Sequence, residues 1–318
     1  MSAHAGKAQA RRTLVGIALV VLTTALFCAQ DTTGKVVVMA GVPVLMAVWV
    51  RYVVQAFLTI AAILPTQGRR ILVTRRPLQH AIRGLLLLGC TGIQFAALLY
   101  LPVGEMTALA LTAPLVITLI AATFLRERVS ALRWTLVGGG FAGTLLIVRP
   151  DSGSFTHPMA IILPMCHVAC NSAFQILTSR MARTENPLTM HLYTGVVGAL
   201  CATLAVPFVW QAVPMGSAWS LMLMMGLLGS ISHFLLILAY QRAPAMTLTP
   251  YLYAQLAFAM VAGWLVFSHV PDGWATAGII LIGVCGAGGA WLATHESRSV
   301  RLALEALQRP QQAGPGGR

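Results

Sequence analysis

An arginine lies inside an apolar stretch of this sequence, where a charge is costly. Arg51 lies in an apolar run that begins near residue 36, and Gln55, one helical turn later, shares its helix face. A charge at the centre of a membrane span costs about 2.5–3.5 kcal/mol on insertion scales, so Arg51 should face a cavity or a partner such as an anionic substrate group. The alternative is that its long side chain reaches the lipid headgroups. We expect Arg51, the adjacent Tyr52 and Gln55 to line a substrate cavity.

A second set of polar side chains recurs at spacings of four, four and three residues in another apolar run. The stripe comprises His167, Asn171, Gln175 and Thr178. A polar stripe on a membrane helix should point into the protein, so His167 and Asn171 are predicted cavity residues. Cys166 and Cys170 lie beside it, which leaves a His/Cys metal site as an alternative. No second cluster with ligand spacing accompanies it, and we predict no metal and no cofactor.

Two prolines occupy similar depths in two further apolar runs. Pro114 and Pro250 each interrupt a predicted helix, and a proline frees an upstream carbonyl and bends the helix. Paired interruptions of this kind point to a binding site near the bilayer midplane. Tyr253 and Gln255 follow Pro250 in a polar and aromatic cluster, for which cavity lining and helix packing are the two interpretations.

Gln94 and His233 are single polar residues within their apolar runs. Each is a candidate cavity residue, and an interhelical hydrogen bond is the alternative for each.

No nucleophile, base and orienting group come together in the sequence, and no paired acids suited to a metal are found. The sequence therefore favours binding and transport over catalysis.

Three charged residues are candidate gates. Asp31 and Lys35 are predicted at the outer ends of the first two helices, where they could form an ion pair or simply lie in a solvated loop with Asp31 as a cap. Glu127 falls in an inner loop, where it could pair with an arginine or could favour the start of the next helix.

Every acidic residue maps to a predicted loop, tail or helix end. A proton-coupled exporter of cations needs a carboxylate in its cavity, which this pattern does not supply. Coupling would then depend on His167, His233 or Glu105, and facilitated diffusion or exchange fits equally well. With Arg51 as the only deep charge, a neutral, zwitterionic or anionic substrate is favoured over an organic cation.

The composition requires a membrane environment. Of 318 residues, 58% are hydrophobic and 9% are charged, and the mean hydropathy is +0.80, which is too apolar for one aqueous domain. The net charge of +13 reflects the orientation of the chain in the membrane rather than nucleic-acid binding, because the basic residues lie between apolar runs and at the ends. The positive-inside rule then places both termini in the cytoplasm. The predicted helices span residues 13–30, 36–60, 78–99, 104–125, 132–149, 158–178, 189–210, 218–239, 246–267 and 273–293.

The chain repeats itself at an offset of 140 residues. Matching pairs are Met106 with Met246, Thr107 with Thr247, Trp134 with Trp274, Gly138 with Gly278 and Gly143 with Gly283. Five helices per copy invert the second copy relative to the first, an arrangement that recurs in alternating-access transporters; chance matching in apolar sequence is the alternative. The predicted units are a basic cytoplasmic tail (1–12), two repeats (13–150 and 158–295) and a cytoplasmic tail that is expected to be disordered (296–318).

Several short stretches together resemble one family of transporters. They are Asp31-x-x-x-Lys35, Trp49-Val50-Arg51-Tyr52, Arg83-Gly84, Ala97 to Pro102, Ala113-Pro114, Arg126-Glu127-Arg128 and Gly143 to Pro150. The sequence resembles the drug/metabolite transporter superfamily, in its EamA-type ten-helix branch, over residues 12–295. The resemblance implies an all-α protein of the bacterial inner membrane that moves a small metabolite or drug by alternating access. A membrane-embedded transferase and a non-transporting scaffold are the alternative functions.

The resemblance also implies a central cavity formed by helices 1–4 and 6–9, with helices 5 and 10 peripheral. Ser268-His269 stands where the second repeat of the family often has Gly-Glu, so a role for that glutamate does not carry over. Gly139 and Gly143 form a GxxxG pair, which predicts close packing within the bundle or onto a second protomer. The expected partners are a small-molecule substrate and the lipid bilayer, without nucleic acid, in a monomer or homodimer.

Overall fold

Helices dominate the computed structural model, and the described residues contain no strand. These residues are 2–67, 73–113, 116, 131–148, 157–182, 184–213, 216–243, 248, 251–289 and 291–292. The helices are α1 (Ser2–Met39), α2 (Val44–Gln67), α3 (Pro77–Ala97), α4 (Val103–Ala110), α5 (Ala131–Val148), α6 (Met159–Met181), α7 (Pro187–Ala205), α8 (Gly216–Arg242), α9 (Ala254–Phe267) and α10 (Gly273–Gly289). A 3₁₀ turn, Val206–Val209, follows α7.

Six of these helices are long and apolar enough to cross a bilayer: α1, α2, α3, α6, α7 and α8. Helices α5, α9 and α10 are shorter and apolar. Within the described part of the chain, the fourth predicted helix is represented by Val103–Ala110, so ten crossings remain a prediction. The bundle is an all-α membrane protein, as predicted.

Large apolar side chains cover the outside of the bundle. Phe57 is 68% exposed, Leu204 77% and Phe208 88%. A soluble monomer rarely exposes apolar surface on this scale, whereas lipid chains cover it without penalty. These residues therefore mark the lipid-facing surface.

The first connection lies later than predicted, since α1 ends at Met39 rather than at residue 30. Helix α1 runs without a break from Ser2 to Met39, so it includes both the predicted N-terminal tail and the predicted Asp31–Lys35 loop. The chain turns at Gly41, whose φ of +88° is accessible mainly to glycine. The Pro43 carbonyl then accepts hydrogen bonds from the backbone amides of Met46 and Ala47 in the first turn of α2. The two charged residues were wrongly interpreted as a loop, because the Gly-Val-Pro turn is the real break.

Most contacts between the two halves occur in pairs. Replacing each helix by the helix at the same place in the other half, α1 by α6 and α8 by α3 for example, turns one contact of a pair into the other. Helix α1 packs on α8 as α3 packs on α6, and α2 packs on α8 as α3 packs on α7. Likewise α1 contacts α9 as α4 contacts α6, while the contacts α2 with α7 and α4 with α9 are their own counterparts. Each of these contacts between the two halves therefore survives exchange of α1–α5 with α6–α10.

Glycines bring α5 and α10 into backbone contact. A Cβ atom on Gly143 would lie 2.8 Å from the Gly278 carbonyl oxygen and 2.9 Å from Ile282 Cγ1. A Cβ on Gly139 would lie 2.5 Å from Cys285 Sγ. The GxxxG pair is thus used inside one chain, which is the first of the two arrangements predicted for it.

A matched pair of substitutions tests this contact. We expect Gly143→Ala to destabilise the protein by about 1–3 kcal/mol, since the added methyl group meets backbone atoms that cannot move independently. Gly138→Ala is the control, because a Cβ at Gly138 has no neighbour within 4 Å. Unfolding in mixed micelles by sodium dodecyl sulfate titration measures both free energies. Equal effects of the two substitutions would contradict the contact.

Candidate functional site

A cavity opens among α1, α2, α3, α4, α6, α8 and α9. Its polar lining is Gln30, Asp31, Arg51, Thr91, Gln94, Thr107, His167, Asn171, Gln175, His233 and Gln255. Its aromatic lining is Phe27, Phe174, Tyr240 and Tyr253. Many amide groups alongside aromatic rings suit a ligand that both stacks and forms hydrogen bonds.

Arg51 lies on the wall of this cavity and is 0% exposed. Its Nε donates to Gln30 Oε1 at 3.4 Å, and its guanidinium lies 4.6 Å from the centre of the Tyr52 ring. A Cβ on Gly229 of α8 would lie 2.9 Å from Arg51 Nε, so glycine at this position makes room for the arginine. Complete burial within the bundle excludes the alternative in which Arg51 reaches the headgroups.

Tyr52 and Gln55 lie behind Arg51 rather than on the cavity wall. The Tyr52 hydroxyl hydrogen-bonds with Thr91 Oγ1 at 3.1 Å, and its ring occupies space left by Gly198 of α7. Gln55 Nε2 donates to the His191 carbonyl at 3.4 Å. The two residues therefore support Arg51 and the α2–α7 contact, which corrects their predicted place in the cavity lining.

Asp31 is a buried cavity residue and not part of an outer loop. It is 6% exposed, lies in α1, and accepts a hydrogen bond from Gln94 Nε2 at 3.2 Å. It also lies within electrostatic range of Arg51. The predictions that all acids lie outside the spans and that Arg51 is the only deep charge are therefore wrong, because α1 extends past Asp31.

The opposite wall carries the predicted stripe of α6. His167, Asn171 and Gln175 line the cavity, and His167 Nδ1 hydrogen-bonds to the Cys90 carbonyl at 3.1 Å. Asn171 occupies the position 140 residues after Asp31, so the two repeats present an amide and an acid at matching positions. Thr178, the last member of the stripe, faces away from the cavity and binds Arg83.

Three further predicted residues lie in the second half, on α8 and at the start of α9. His233 of α8 lines the cavity with its ring 4.8 Å from the Phe27 ring, in an edge-to-face arrangement. Tyr253 donates from its hydroxyl to the Leu111 carbonyl at 3.1 Å, and Gln255 also lines the cavity. The predicted residues Pro114, Glu127 and Pro250 lie outside the described residues.

A group of four side chains joins α1, α4 and the α9–α10 connection. This Lys35 cluster consists of Lys35, Glu105, Phe267 and His269. Lys35 Nζ donates to the Leu101 carbonyl at 2.6 Å and lies 5.3 Å from the centre of the Phe267 ring. His269 Nε2 lies 3.5 Å from Glu105 Oε1. Burial and the nearby Lys35 cation lower the pKa of His269 below its usual value, which favours a neutral imidazole at pH 7.

Lys35 therefore contacts a different set of residues from the predicted Asp31–Lys35 gate. Asp31 points to Gln94 in the cavity, whereas Lys35 points to the start of α4 and the end of α9. Since α1 is helical through both residues, their four-residue spacing places them at different depths along one helix. Lys35 contacts the Leu101 carbonyl of the first repeat and the Phe267 ring of the second. His269, which the sequence showed only as a departure from the family pattern, contacts Glu105 beside them.

A second buried arginine was missed as a site candidate, since it was interpreted only as a topological charge. Arg83 is 2% exposed; its Nε donates to Thr178 Oγ1 at 2.9 Å and its Nη1 donates to the Met190 carbonyl at 3.0 Å and to Thr194 Oγ1. Its position two turns inside a predicted helix was the available signal. These contacts fasten α3 to α6 and α7.

A hydrogen-bonded pair of side chains lies near the N-terminal end of α3. His80 Nε2 and Glu185 Oε2 are 3.3 Å apart, and Thr74 Oγ1 donates to the same oxygen at 3.2 Å. This pair joins α3 to the α6–α7 connection, whereas the Lys35 cluster joins the halves near the C-terminal end of α3. The cavity is thus enclosed between two sets of contacts that connect the two halves.

Comparisons with known proteins agree with the geometry of a transporter. The sequence model of the EamA-like transporter family matches residues 14–149. A riboflavin transporter of Rhizobium johnstonii is 32% identical over 234 residues, which are 71% of this chain and 74% of that protein. A riboflavin transporter of Vibrio cholerae is 30% identical over 77% of this chain and 82% of that protein.

An S-adenosylmethionine uptake transporter of Rickettsia felis is 28% identical over 68% of this chain and 72% of that protein. One solved crystal structure, 24% identical, superposes with a TM-score of 0.59 over 92% of this chain and 99% of that chain, which supports the fold. The chain therefore belongs to the EamA-like transporter family of the drug/metabolite transporter superfamily, as a multi-pass membrane protein that transports small metabolites and is not an enzyme.

Proposed function

We propose that this protein carries an uncharged, planar heterocyclic metabolite of the riboflavin type across the bacterial inner membrane by alternating access. The observation that carries the proposal is the polar and aromatic cavity with Arg51 and Asp31 on its wall. In this proposal the substrate binds in that cavity, between the two five-helix repeats. The excess of arginine in the predicted inner loops supports cytoplasmic termini.

The exchange of helix contacts supports an alternating mechanism. Two inverted copies of one unit can adopt two conformations of similar energy, each being the other with the roles of the copies reversed. The contacts α1 with α8 and α3 with α6 are such a pair. One conformation then opens the cavity to the outside and the other to the cytoplasm.

The Lys35 cluster supports the position of an outer gate. It joins α1 and α4 of the first half to Phe267 and His269 of the second half. Its interactions are few and partly exposed, with the His269 side chain 37% accessible, so separating the halves there costs little. Opening of the cavity to the outside would break these contacts and leave the Arg83 contacts at the other end intact.

The charges of the cavity support a substrate without net charge. When Asp31 is ionised, its charge and that of Arg51 offset one another, so neither an anion nor a cation gains from an uncompensated field. Aromatic rings of Phe27, Phe174 and Tyr253 supply faces on which a planar ring can stack. The relatives from Rhizobium johnstonii and Vibrio cholerae, each at least 30% identical, are riboflavin transporters, which is consistent with this chemistry.

A sulfonium compound such as S-adenosylmethionine is the second candidate substrate. The observation that favours it is the carboxylate of Asp31 on the cavity wall, which can attract a positive centre. The relative from Rickettsia felis supports this candidate. Arg51 opposes it, since the same cavity would then hold two positive groups beside one acid.

Arg51→Gln tests the site. We expect uptake of riboflavin, at equal membrane abundance, to fall by about 10- to 100-fold, because a charge-assisted hydrogen bond contributes about 1.5–3 kcal/mol. Arg242→Gln is the matched control, because Arg242 is exposed at the end of α8. Initial rates in reconstituted vesicles measure both. Unchanged uptake by Arg51→Gln would remove Arg51 from the site.

Cross-linking the Lys35 cluster tests alternating access. In a variant without the six native cysteines, Glu105→Cys and His269→Cys would be joined by a bifunctional methanethiosulfonate reagent. We expect uptake to stop when the link forms and to return on reduction, since the outer gate can then open. Each single cysteine with the same reagent is the control. Undiminished uptake by the linked protein would contradict an outer gate at this position.

Asp31→Asn separates the two candidate substrates. Asparagine can still accept the hydrogen bond from Gln94, so the shape of the cavity is retained. We expect uptake of S-adenosylmethionine, if it is the substrate, to fall about tenfold or more, since about 1.4 kcal/mol of attraction corresponds to tenfold. Riboflavin uptake should change less than about threefold. Competition between the two compounds in vesicles gives the ratio, and an opposite ratio would reverse the ranking of the candidates.

A further inference from the structure

Three polar atoms of cavity-lining residues have no hydrogen-bond partner among the residues that the structure describes. They are Arg51 Nη1, Gln94 Oε1 and Thr107 Oγ1, on α2, α3 and α4. The residues are 0%, 8% and 2% exposed. Buried polar atoms are almost always paired, because leaving one unpaired is costly. Three such atoms around one cavity indicate that a ligand supplies the missing partners.

The hydrogen-bonding character of the three atoms is defined by their surroundings. Gln94 Nε2 donates to Asp31 Oδ2 at 3.2 Å, so the other amide atom, Oε1, is the acceptor that remains. A guanidinium nitrogen can only donate, and Arg51 already uses Nε for Gln30. The Thr107 hydroxyl can donate. The set therefore offers two donors and one acceptor.

We infer that Arg51, Gln94 and Thr107 bind the imide edge of the substrate ring, in which one N–H group lies between two carbonyl groups. The two carbonyl oxygens accept from Arg51 Nη1 and Thr107 Oγ1, and the imide N–H donates to Gln94 Oε1. This inference rests on the proposed function, since it names the chemical group that the same cavity selects. Flavins and uracil-type rings carry this edge.

Other chemical groups leave part of the set unpaired. A carboxylate or phosphate only accepts, so Gln94 Oε1 stays without a donor and the anion lies near the Asp31 carboxylate. An organic cation is attracted to Asp31 but offers nothing to Arg51 Nη1. An imide satisfies all three atoms and carries no charge, which matches the balance between Arg51 and Asp31.

The three atoms are closed off from solvent in this conformation. The substrate therefore reaches them when the bundle opens, and this conformation bears the cost of the unpaired atoms. Binding removes that cost, so the imide contributes more to affinity than a hydrogen bond exchanged with water would. A substrate analogue that lacks the imide N–H should lose this contribution.

The test compares riboflavin with N3-methylriboflavin, in which a methyl group replaces the imide hydrogen. Each compound competes with radiolabelled riboflavin for uptake into vesicles that contain the wild-type protein, Gln94→Met or Gln175→Met. We expect the methylated compound to inhibit the wild type at least about tenfold more weakly than riboflavin. In Gln94→Met the two compounds should inhibit within about twofold of one another, since a thioether is a weak acceptor.

Gln175→Met is the matched control, because Gln175 also lines the cavity but is not part of the set. It should keep the preference for riboflavin over the methylated compound. A general loss of cavity shape would affect both variants, whereas loss of the imide contact affects only Gln94→Met. Equal inhibition by both compounds in the wild type, or a preserved preference in Gln94→Met, would overturn the inference. The wild-type comparison requires no substitution, so it decides the matter even if Gln94→Met does not fold.

Failure of the proposed substrate gives a different result from failure of the imide contact. If the wild type neither binds nor transports riboflavin, the riboflavin-type substrate is overturned. The same three proteins are then compared with uridine and N3-methyluridine by thermal shift in detergent. A preference for uridine that Gln94→Met removes supports the imide contact on another ring, and no preference overturns it.

Discussion

The burial of the Arg51 guanidinium is the constraint on which the rest of the cavity depends. Removing a charge from water costs several kcal/mol even after the protein relaxes, and only close partners recover this free energy. Around Arg51 the chain supplies an amide oxygen from Gln30, the face of Tyr52 and, within electrostatic range, Asp31. Gly229 of α8 leaves the space that this arrangement fills. Three helices, α1, α2 and α8, are thereby placed by the needs of one side chain.

The two buried arginines differ in a way that separates a structural charge from one that the proposed function assigns to the substrate. Arg83 donates from Nε and twice from Nη1 to groups on α6 and α7, and it stacks on Phe174 at 4.9 Å. Arg51 has a weaker bond from Nε and none from Nη1. A charge with these donors paired fastens helices together, whereas one with a donor left over is prepared for a partner that comes and goes.

The sequence predicted the class of fold and much of the cavity wall because both depend on local patterns. The apolar runs predicted the long helices, and the four-residue spacing of His167, Asn171 and Gln175 identified the stripe that lines the cavity. Asp31 was misplaced because a helix end was assigned at charged residues instead of at Gly41. Arg83 and the Glu105–His269 contact depend on packing between distant segments, which no local pattern encodes.

Matching positions of the two repeats carry different chemistry, and this asymmetry has a physical reason. Asp31 corresponds to Asn171, and Arg51 corresponds to His191, at the offset of 140 residues. A strictly symmetric cavity would hold either two acids and two arginines or none, and each additional buried charge needs its own partners. One acid and one arginine on the first half, facing an amide and a histidine on the second, keep the net charge near zero. In the proposed mechanism the contacts between the halves exchange by symmetry, while Arg51, Gln94 and Thr107 of the first half orient one edge of the substrate.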